Sequence, residues 1–405
     1  MGGTETTSGA QSVTFDEVVK QYPGQGEPAV RSLSFEVPAG EICVLVGPSG
    51  CGKTTALRMV NRMVEPSGGE ILIGDEPTRS RNPDQLRREI GYVIQQIGLF
   101  PHRTVAQNIG TVPKLLGWDS GRTEERSREL IEVMGLDPEM ADRYPGQLSG
   151  GQRQRVGVAR ALATDPPVML MDEPFGAIDP VTRERLQNEF LRLQADLGKT
   201  ILFVTHDIDE AIKMGDRIAV LDVGGRLAQF ATPAELLMAP ADEFVESFVG
   251  SDRALKRLSL MRVGELDLWE APLAYSGQPM AEARRKLAEA SLPHLLVVDA
   301  ERRPLGWVSE ADLDTEYVTD SPSTSPEPRI EVDDVLRDAL SDLLGSETQF
   351  APVVDREGKL AGVLSAEIIS EFLNSSEATS LRESAGDRAA LSERESGGAP
   401  SSSAG

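Results

Sequence analysis

The nine residues Gly47-Pro48-Ser49-Gly50-Cys51-Gly52-Lys53-Thr54-Thr55 have the types and spacing of a loop that can wrap phosphate groups. Its glycines allow a tight turn, so that successive backbone N–H groups face inward at an anion. An apolar strand-like run, Ile42 to Val46, leads in, and a helix-like run leaves near Thr54. That helix would add its unpaired N–H groups and its positive end. In this context G-x-x-x-x-G-K-T predicts a nucleoside triphosphate site, with Lys53 against the β- and γ-phosphates and the Thr54 hydroxyl on Mg²⁺. Downstream, Val168-Met169-Leu170-Met171-Asp172-Glu173 is an apolar strand ending in two carboxylates. Asp172 at the strand tip is placed to hold the water shell of the magnesium, and Glu173 to polarise an attacking water. A third segment, Leu148-Ser149-Gly150-Gly151-Gln152, opens a helix that continues through Arg153, Arg155 and Ala159. Ser149 reads as its N-cap, and the two glycines permit backbone N–H groups to approach an anion, although a plain loop before a helix has the same pattern.

These segments need a scaffold. From Ser12 to about Phe230, short β-branched runs alternate with helical stretches, which predicts an α/β domain on a largely parallel sheet. The clearest strands are Cys43–Val46, Val168–Met171, Ile201–Val204 and Arg217–Leu221; the second and third lack alternation, as strands covered on both faces do. Glu124 to Met134 and Val181 to Leu197 read as charged amphipathic helices, and Ser12–Val18 and Leu33–Val37 as antiparallel strands beside the main sheet.

A second region, about 256–375, holds two similar halves. Leu295–Asp299, a turn through Arg303-Pro304 and Leu305–Ser309 make one; Phe350–Asp355, Glu357-Gly358 and Leu360–Ser365 make the other. Each half is preceded by a helical segment, Met280–Ala290 or Val335–Leu344, and the period of roughly 56 residues marks an internal repeat of two units that pack face to face. The organisation expected is a disordered leader at 1–11, a nucleotide-binding domain at 12–250, repeat units at 256–318 and 330–375 joined by a Ser/Pro-rich linker at 319–329, and a disordered tail at 376–405.

Composition excludes several classes. The 405 residues carry 65 acidic against 41 basic side chains, a net charge of -24, and both halves are acidic. That argues against nucleic acid as a partner, which would need a basic surface. The two cysteines, Cys43 and Cys51, fall on a core strand and in the phosphate loop, so a disulfide framework is not expected and a cytosolic compartment fits. There is no apolar run of about eighteen residues and no signal-peptide core near Met1, so the chain is not expected to cross a membrane by itself.

The segment Leu148 to Arg155, LSGGQRQR, resembles the signature motif of ABC-transporter ATPases, and the family's other motifs occur in the same order. The resemblance covers roughly residues 12–250, more than half the chain. It implies a P-loop NTPase of ABC type, with a helical and an antiparallel β subdomain. It also implies ATP and Mg²⁺ as cofactors, with Gly47 to Thr55 as the phosphate loop. Tyr22 matches the aromatic that stacks on adenine, against the plainer reading of an exposed strand-end tyrosine. Gln95, in Tyr92-Val93-Ile94-Gln95, matches the glutamine that touches Mg²⁺ and couples hydrolysis to the membrane subunit, with Gln96 as a one-residue alternative. Asp179 matches the loop aspartate that crosses the dimer interface, and His206, in Thr205-His206-Asp207, the switch histidine at the γ-phosphate. The catalytic set implied is Glu173, His206, Lys53 and Gln95, and the metal set Thr54, Gln95 and Asp172. Ser149, Gly150, Gly151 and Gln152 would complete the ATP site of a second copy in a head-to-tail homodimer.

Two features narrow the class. Ile97–Val105 followed by Val112–Trp118 resembles ATPases of importers for glycine betaine, proline betaine, carnitine and choline. The repeat at 256–375 resembles a tandem CBS pair, the regulatory module of that subgroup. The resemblance implies transmembrane permease subunits and an extracytoplasmic substrate-binding protein or domain as partners, and a peripheral position on the cytoplasmic face of the plasma membrane. Another small solute, such as an amino acid, is the alternative cargo. CBS pairs bind adenine nucleotides or cyclic dinucleotides, with an aspartate on the ribose. Asp312 in Ser309-Glu310-Ala311-Asp312 matches that aspartate, or is a helix-start residue favoured by the dipole, whereas the second half has Ile368 there.

Overall fold

Runs of buried β-branched and aliphatic residues build the centre of the chain. In the computed structural model, residues 9–24, 26–95, 98–176, 178–289, 294–308, 314–322, 324–346 and 349–373 are described. They fall into two compact units, one of residues up to 236 with 240–250, the other of 237–239 and the chain from 251 onward.

The strands of the first unit are β1 (Val13–Lys20), β2 (Val30–Val37), β3 (Ile42–Val46), β4 (Gly68–Ile73), β5 (Glu76–Pro77), β6 (Ile90–Val93), β7 (Val168–Asp172), β8 (Thr200–Val204), β9 (Arg217–Asp222) and β10 (Arg226–Ala231). Six of them form a sheet in the order β10-β9-β3-β8-β7-β6, parallel except for β10. Every residue of β3, β7 and β8 is buried, which is why these strands read as unbroken apolar runs. Beside it lies an antiparallel sheet, β2-β1-β4-β5, whose β2 alternates buried and exposed residues. Val13, Phe15, Leu33 and Ile71 from this sheet share one core with Leu45, Leu170 and Leu202 of the other. Helices Val105–Ile109, Thr111–Leu115, Ser120–Val133 and Gly150–Leu162 occupy the insertion between β6 and β7.

Register decides what meets at the carboxyl ends of the parallel strands. Leu45 of β3 pairs with Val204 of β8, Val204 with Asp172 of β7, and Met171 with Val93 of β6. The residues just past those ends, Gly47, His206, Glu173 and Gln95, therefore leave the sheet along one edge, the crevice where open α/β sheets take ligands.

The second unit repeats one pattern twice. Strands β11 (Leu273–Tyr275), β12 (Leu295–Val298) and β13 (Pro304–Val308) form one sheet, and β14 (Ile330–Glu331), β15 (Phe350–Val354) and β16 (Leu360–Ser365) another. In each the first pair is parallel and the second antiparallel. The turns match atom for atom: Asp299 Oδ1 accepts from the N–H of Glu301 and Arg303, and Asp355 Oδ1 from those of Glu357 and Lys359. The positive φ that the turn needs falls on Arg302 in the first half and on Gly358 in the second. Leu296, Val298 and Trp307 of the first half share a core with Leu360 and Val363 of the second. The two leading strands escape sequence reading because they are only three and two residues long.

Candidate functional site

Gly47 turns the chain out of β3 with φ 153°, and a Cβ there would lie 2.1 Å from the carbonyl oxygen of Leu221 on β9. Gly52, at φ 100°, caps the Lys53–Val60 helix, and its Cβ would lie 2.4 Å from the carbonyl oxygen of Ala29. These two positions exclude any side chain; Gly50, at φ 80°, faces open space. Lys53 is buried along its length, and its Nζ donates to the carbonyl oxygens of Gly47 (2.6 Å) and Pro48 (2.9 Å). The ammonium is thereby held over the loop it would share with phosphates. Cys51 is fully buried behind the loop, and burial pushes its thiol pKa up.

At the second residue of the helix, the Thr54 hydroxyl donates to Asp172 Oδ1 at 2.9 Å. Asp172 is only 2% exposed, and that desolvation raises its pKa against the lowering effects of Thr54 and Arg58. A hydroxyl and a buried carboxylate within one hydrogen bond are the hard oxygen ligands that Mg²⁺ takes, directly or through water, so the residues fit the ion that the motif implies. Arg58 stands 3.7 Å from Asp172. Sequence reading misses Arg58; its signal is the i, i+4 spacing from Thr54, which puts both on one helix face.

Glu173 follows with φ 46°, a left-handed conformation of the kind that non-glycine residues hold at functional sites. Its N–H donates to Val204 O at 2.9 Å, which ties the turn to β8. Gln95 Nε2 donates to Glu173 Oε2 at 3.0 Å, and His206 Nδ1 lies 3.3 Å from Glu173 Oε1. An amide, a carboxylate and an imidazole from three separate strand ends thus converge on one point, with the imidazole largely exposed.

The remaining expected residues lie elsewhere. Ser149 caps the Gly150–Leu162 helix in a reciprocal box with Gln152, and Gly151 packs on Thr182 and Leu186. Asp179 caps the helix Pro180–Leu197, and the Thr182 N–H holds its carboxyl below the usual range. Tyr22 sits under the Lys20 ammonium, 5.0 Å from its ring centre. Among the described residues, none of these hydrogen-bonds to the Glu173 cluster. Gln96 and Asp312 lie outside the described residues.

A phosphate loop, a Thr–Asp pair and a Gln–Glu–His cluster at the carboxyl edge of such a sheet define an ATP-binding cassette, here followed by a CBS pair. The ABC transporter family model matches residues 30–176, and the CBS domain model matches 263–319 and 323–375. The osmoprotectant import ATP-binding protein OsmV of Salmonella typhimurium is 47% identical over 90% of this chain and 96% of its own length. The glycine betaine/carnitine/choline transport ATP-binding protein OpuCA of Bacillus subtilis is 45% identical over 86% and 93%. The solved structure of cbiO1 from Clostridium perfringens, part of the ABC transporter complex cbiONQ, superposes with a TM-score of 0.54 at 25% identity, covering 61% of this chain and 94% of that one. The chain belongs to the ATP-binding subunits of the ABC importers for quaternary amines that carry tandem CBS domains. It is an ATP-binding and ATP-hydrolysing cassette protein. No helix among the described residues is long and apolar enough to cross a membrane.

Proposed function

We propose that this chain energises the import of a quaternary ammonium osmolyte such as glycine betaine, choline or carnitine. Its place is peripheral, on the cytoplasmic face of the plasma membrane, against permease subunits that receive the solute from an extracytoplasmic binding protein or domain. The names of the relatives support that cargo.

The observation that carries the mechanism is the convergence of Gln95 and His206 on Glu173, beside the Thr54–Asp172 pair. Gly47 to Thr55 bind the triphosphate, and Lys53 transfers its hydrogen bonds from the loop carbonyls to the β- and γ-phosphates. Thr54, Asp172 and Gln95 hold Mg²⁺, which when bound neutralises charge that develops on the phosphates. Glu173 orients the attacking water and takes its proton, while His206 steadies the carboxylate and faces the γ-phosphate. Tyr22 stacks on the adenine. In a head-to-tail homodimer, Ser149, Gly150, Gly151 and Gln152 of one copy close over the phosphates bound by the other, with Asp179 crossing between them. Gln95 bonds to the base and begins the segment leading to the helical insertion, so it is the route by which permease contact and hydrolysis inform each other.

The CBS pair regulates this cycle, either through a nucleotide at Asp312 or through the salt dependence of an acidic surface. Changing Glu173 to Gln should leave ATP binding intact and lower turnover by about 10²–10⁴-fold, the usual contribution of a general base. Steady-state hydrolysis at the wild-type rate by that variant would overturn the assignment.

A further inference from the structure

The His206 side chain is 61% exposed and meets Glu173 at 3.3 Å, so its aim depends on the backbone that carries it. On one side that backbone is pinned to β3, where the N–H of Thr205 donates to the carbonyl oxygen of Leu45 at 3.2 Å. On the other side Asp207 caps the helix Ile208–Met214, and its Oδ1 accepts from the N–H groups of Asp209 (2.9 Å) and Glu210 (3.3 Å). Two side chains of the long helix Pro180–Leu197 face this short one. Gln187 Nε2 donates to Glu210 Oε1 at 2.9 Å, and both residues are buried, at 5% and 7% exposure. One turn earlier, Arg183 donates from Nη2 to the carbonyl oxygen of Ile178 and lies 3.9 Å from Asp207. Packing alone does not call for an amide and a carboxyl at the buried contact, because apolar side chains would fill it without the desolvation cost. What the hydrogen bond adds is a fixed separation and direction, which apolar surfaces free to slide do not give.

We propose that Gln187 and Glu210 are a positioning pair for ATP hydrolysis: their buried hydrogen bond fixes the turn that carries His206 against the helix that Asp179 caps. The order of the chain passes the constraint along. Glu210 holds the first turn of the short helix, Asp207 caps that turn, and His206 is the residue before the cap. A shift of the short helix along the long one would therefore carry the imidazole away from Glu173 Oε1. The pair acts on the reaction only through His206, and so rests on the role given to that residue above. ATP binding, which belongs to Gly47 to Thr55, should not depend on it.

The test uses the full-length chain. Gln187→Met/Glu210→Leu replaces both partners together with apolar side chains of similar size, which leaves neither of them buried without its partner. Its kcat for ATP should fall by about ten-fold or more, within the roughly 10²-fold that a 1 Å misplacement costs. Its KM should stay within about two-fold, and thermal melting should show a folded chain. Gln187→Asn, a milder change that draws the amide back by one methylene, should lower kcat in smaller degree. Glu210→Gln keeps an oxygen for the Gln187 amide and should hold kcat within about two-fold of wild type. The chain has three histidines, so NMR can identify the His206 ring by the signals that His206→Ala removes. Those signals should shift in Gln187→Met/Glu210→Leu and stay in place in Glu210→Gln. Wild-type kcat in both Gln187 variants, an equal loss in Glu210→Gln, a rise in KM that accounts for the loss, or unmoved His206 signals would each overturn the proposal. Wild-type kcat in His206→Ala would remove the role of His206 and the pair with it. A slow His206→Ala beside a fast Gln187→Met/Glu210→Leu would remove the pair alone.

Discussion

Replacing Gly47 with Ala tests the phosphate loop where its geometry is most demanding. The new Cβ would stand 2.1 Å from the carbonyl oxygen of Leu221 and 2.9 Å from Cys51 Sγ, at a φ of 153° that L-residues avoid. Holding the backbone in place costs about 1–3 kcal/mol of conformational strain. Overpacking against a β9 carbonyl adds about 1–3 kcal/mol, because the atom in the way is main chain and cannot swing aside. The total, about 2–6 kcal/mol, is a sizeable share of the roughly 5–15 kcal/mol that keeps a typical domain folded. If the loop yields, Gly47 O and Pro48 O move and Lys53 loses the anchors that aim it. Even about 2 kcal/mol lost from the bound geometry weakens ATP by roughly 30-fold. If β9 yields instead, the same energy lowers the melting temperature by about 4–8 °C. Fluorescent-nucleotide titration and thermal melting read both outcomes. Gly50→Ala is the internal control: its Cβ meets nothing, so only the strain of φ 80° remains and the effect should be the smaller one. Near-wild-type affinity and melting temperature for Gly47→Ala, or a larger loss for Gly50→Ala, would refute the reasoning.

Two further predictions concern buried carboxylates. Arg58→Met removes the guanidinium 3.7 Å from Asp172; because Arg58 is half-exposed, the loss of stability should be about 1 kcal/mol or less. Arg58 favours the ionised carboxylate, so the loss should be present at pH 8 and fade as Asp172 protonates in acid, as measured by urea unfolding; a loss that grew in acid would count against the pair. Glu210 is buried beside Gln187, which donates to it at 2.9 Å, and burial raises its pKa above the unfolded value. A raised carboxyl binds more protons folded than unfolded, so this group makes the protein lose stability as pH rises from about 4.5 through its folded pKa. Glu210→Gln lacks that loss and should gain melting temperature over wild type more at pH 8 than at pH 4.5; a gain confined to acid would contradict the sign.

Legibility from sequence followed chain distance. Gly47 to Thr55 is contiguous, so its glycines, lysine and threonine could be given roles before any contact was known. The same holds for the β7 tip, where an apolar run ends in Asp172 and Glu173. The meeting of Gln95, Glu173 and His206 could not be derived that way, because it depends on β6, β7 and β8 being neighbours in register. Only the family resemblance supplied Gln95 and His206 before the sheet order was known. Arg58 was readable in principle from its helical spacing and was missed because arginines on exposed helix faces are common. The repeat was legible because Asp299 and Asp355 head identical turns, whereas the short strands β11 and β14 carry too few residues for any periodicity.

On the proposed function, ATP turned over by this chain moves a quaternary amine. The direct measurement is uptake of radiolabelled glycine betaine into sealed vesicles that contain the full importer, with and without ATP and at several salt concentrations. ATP-dependent uptake that is competed by choline or carnitine, and lost with Glu173→Gln while the complex stays assembled, is the predicted result. ATP-driven uptake of an amino acid with no transport of any quaternary amine would contradict it.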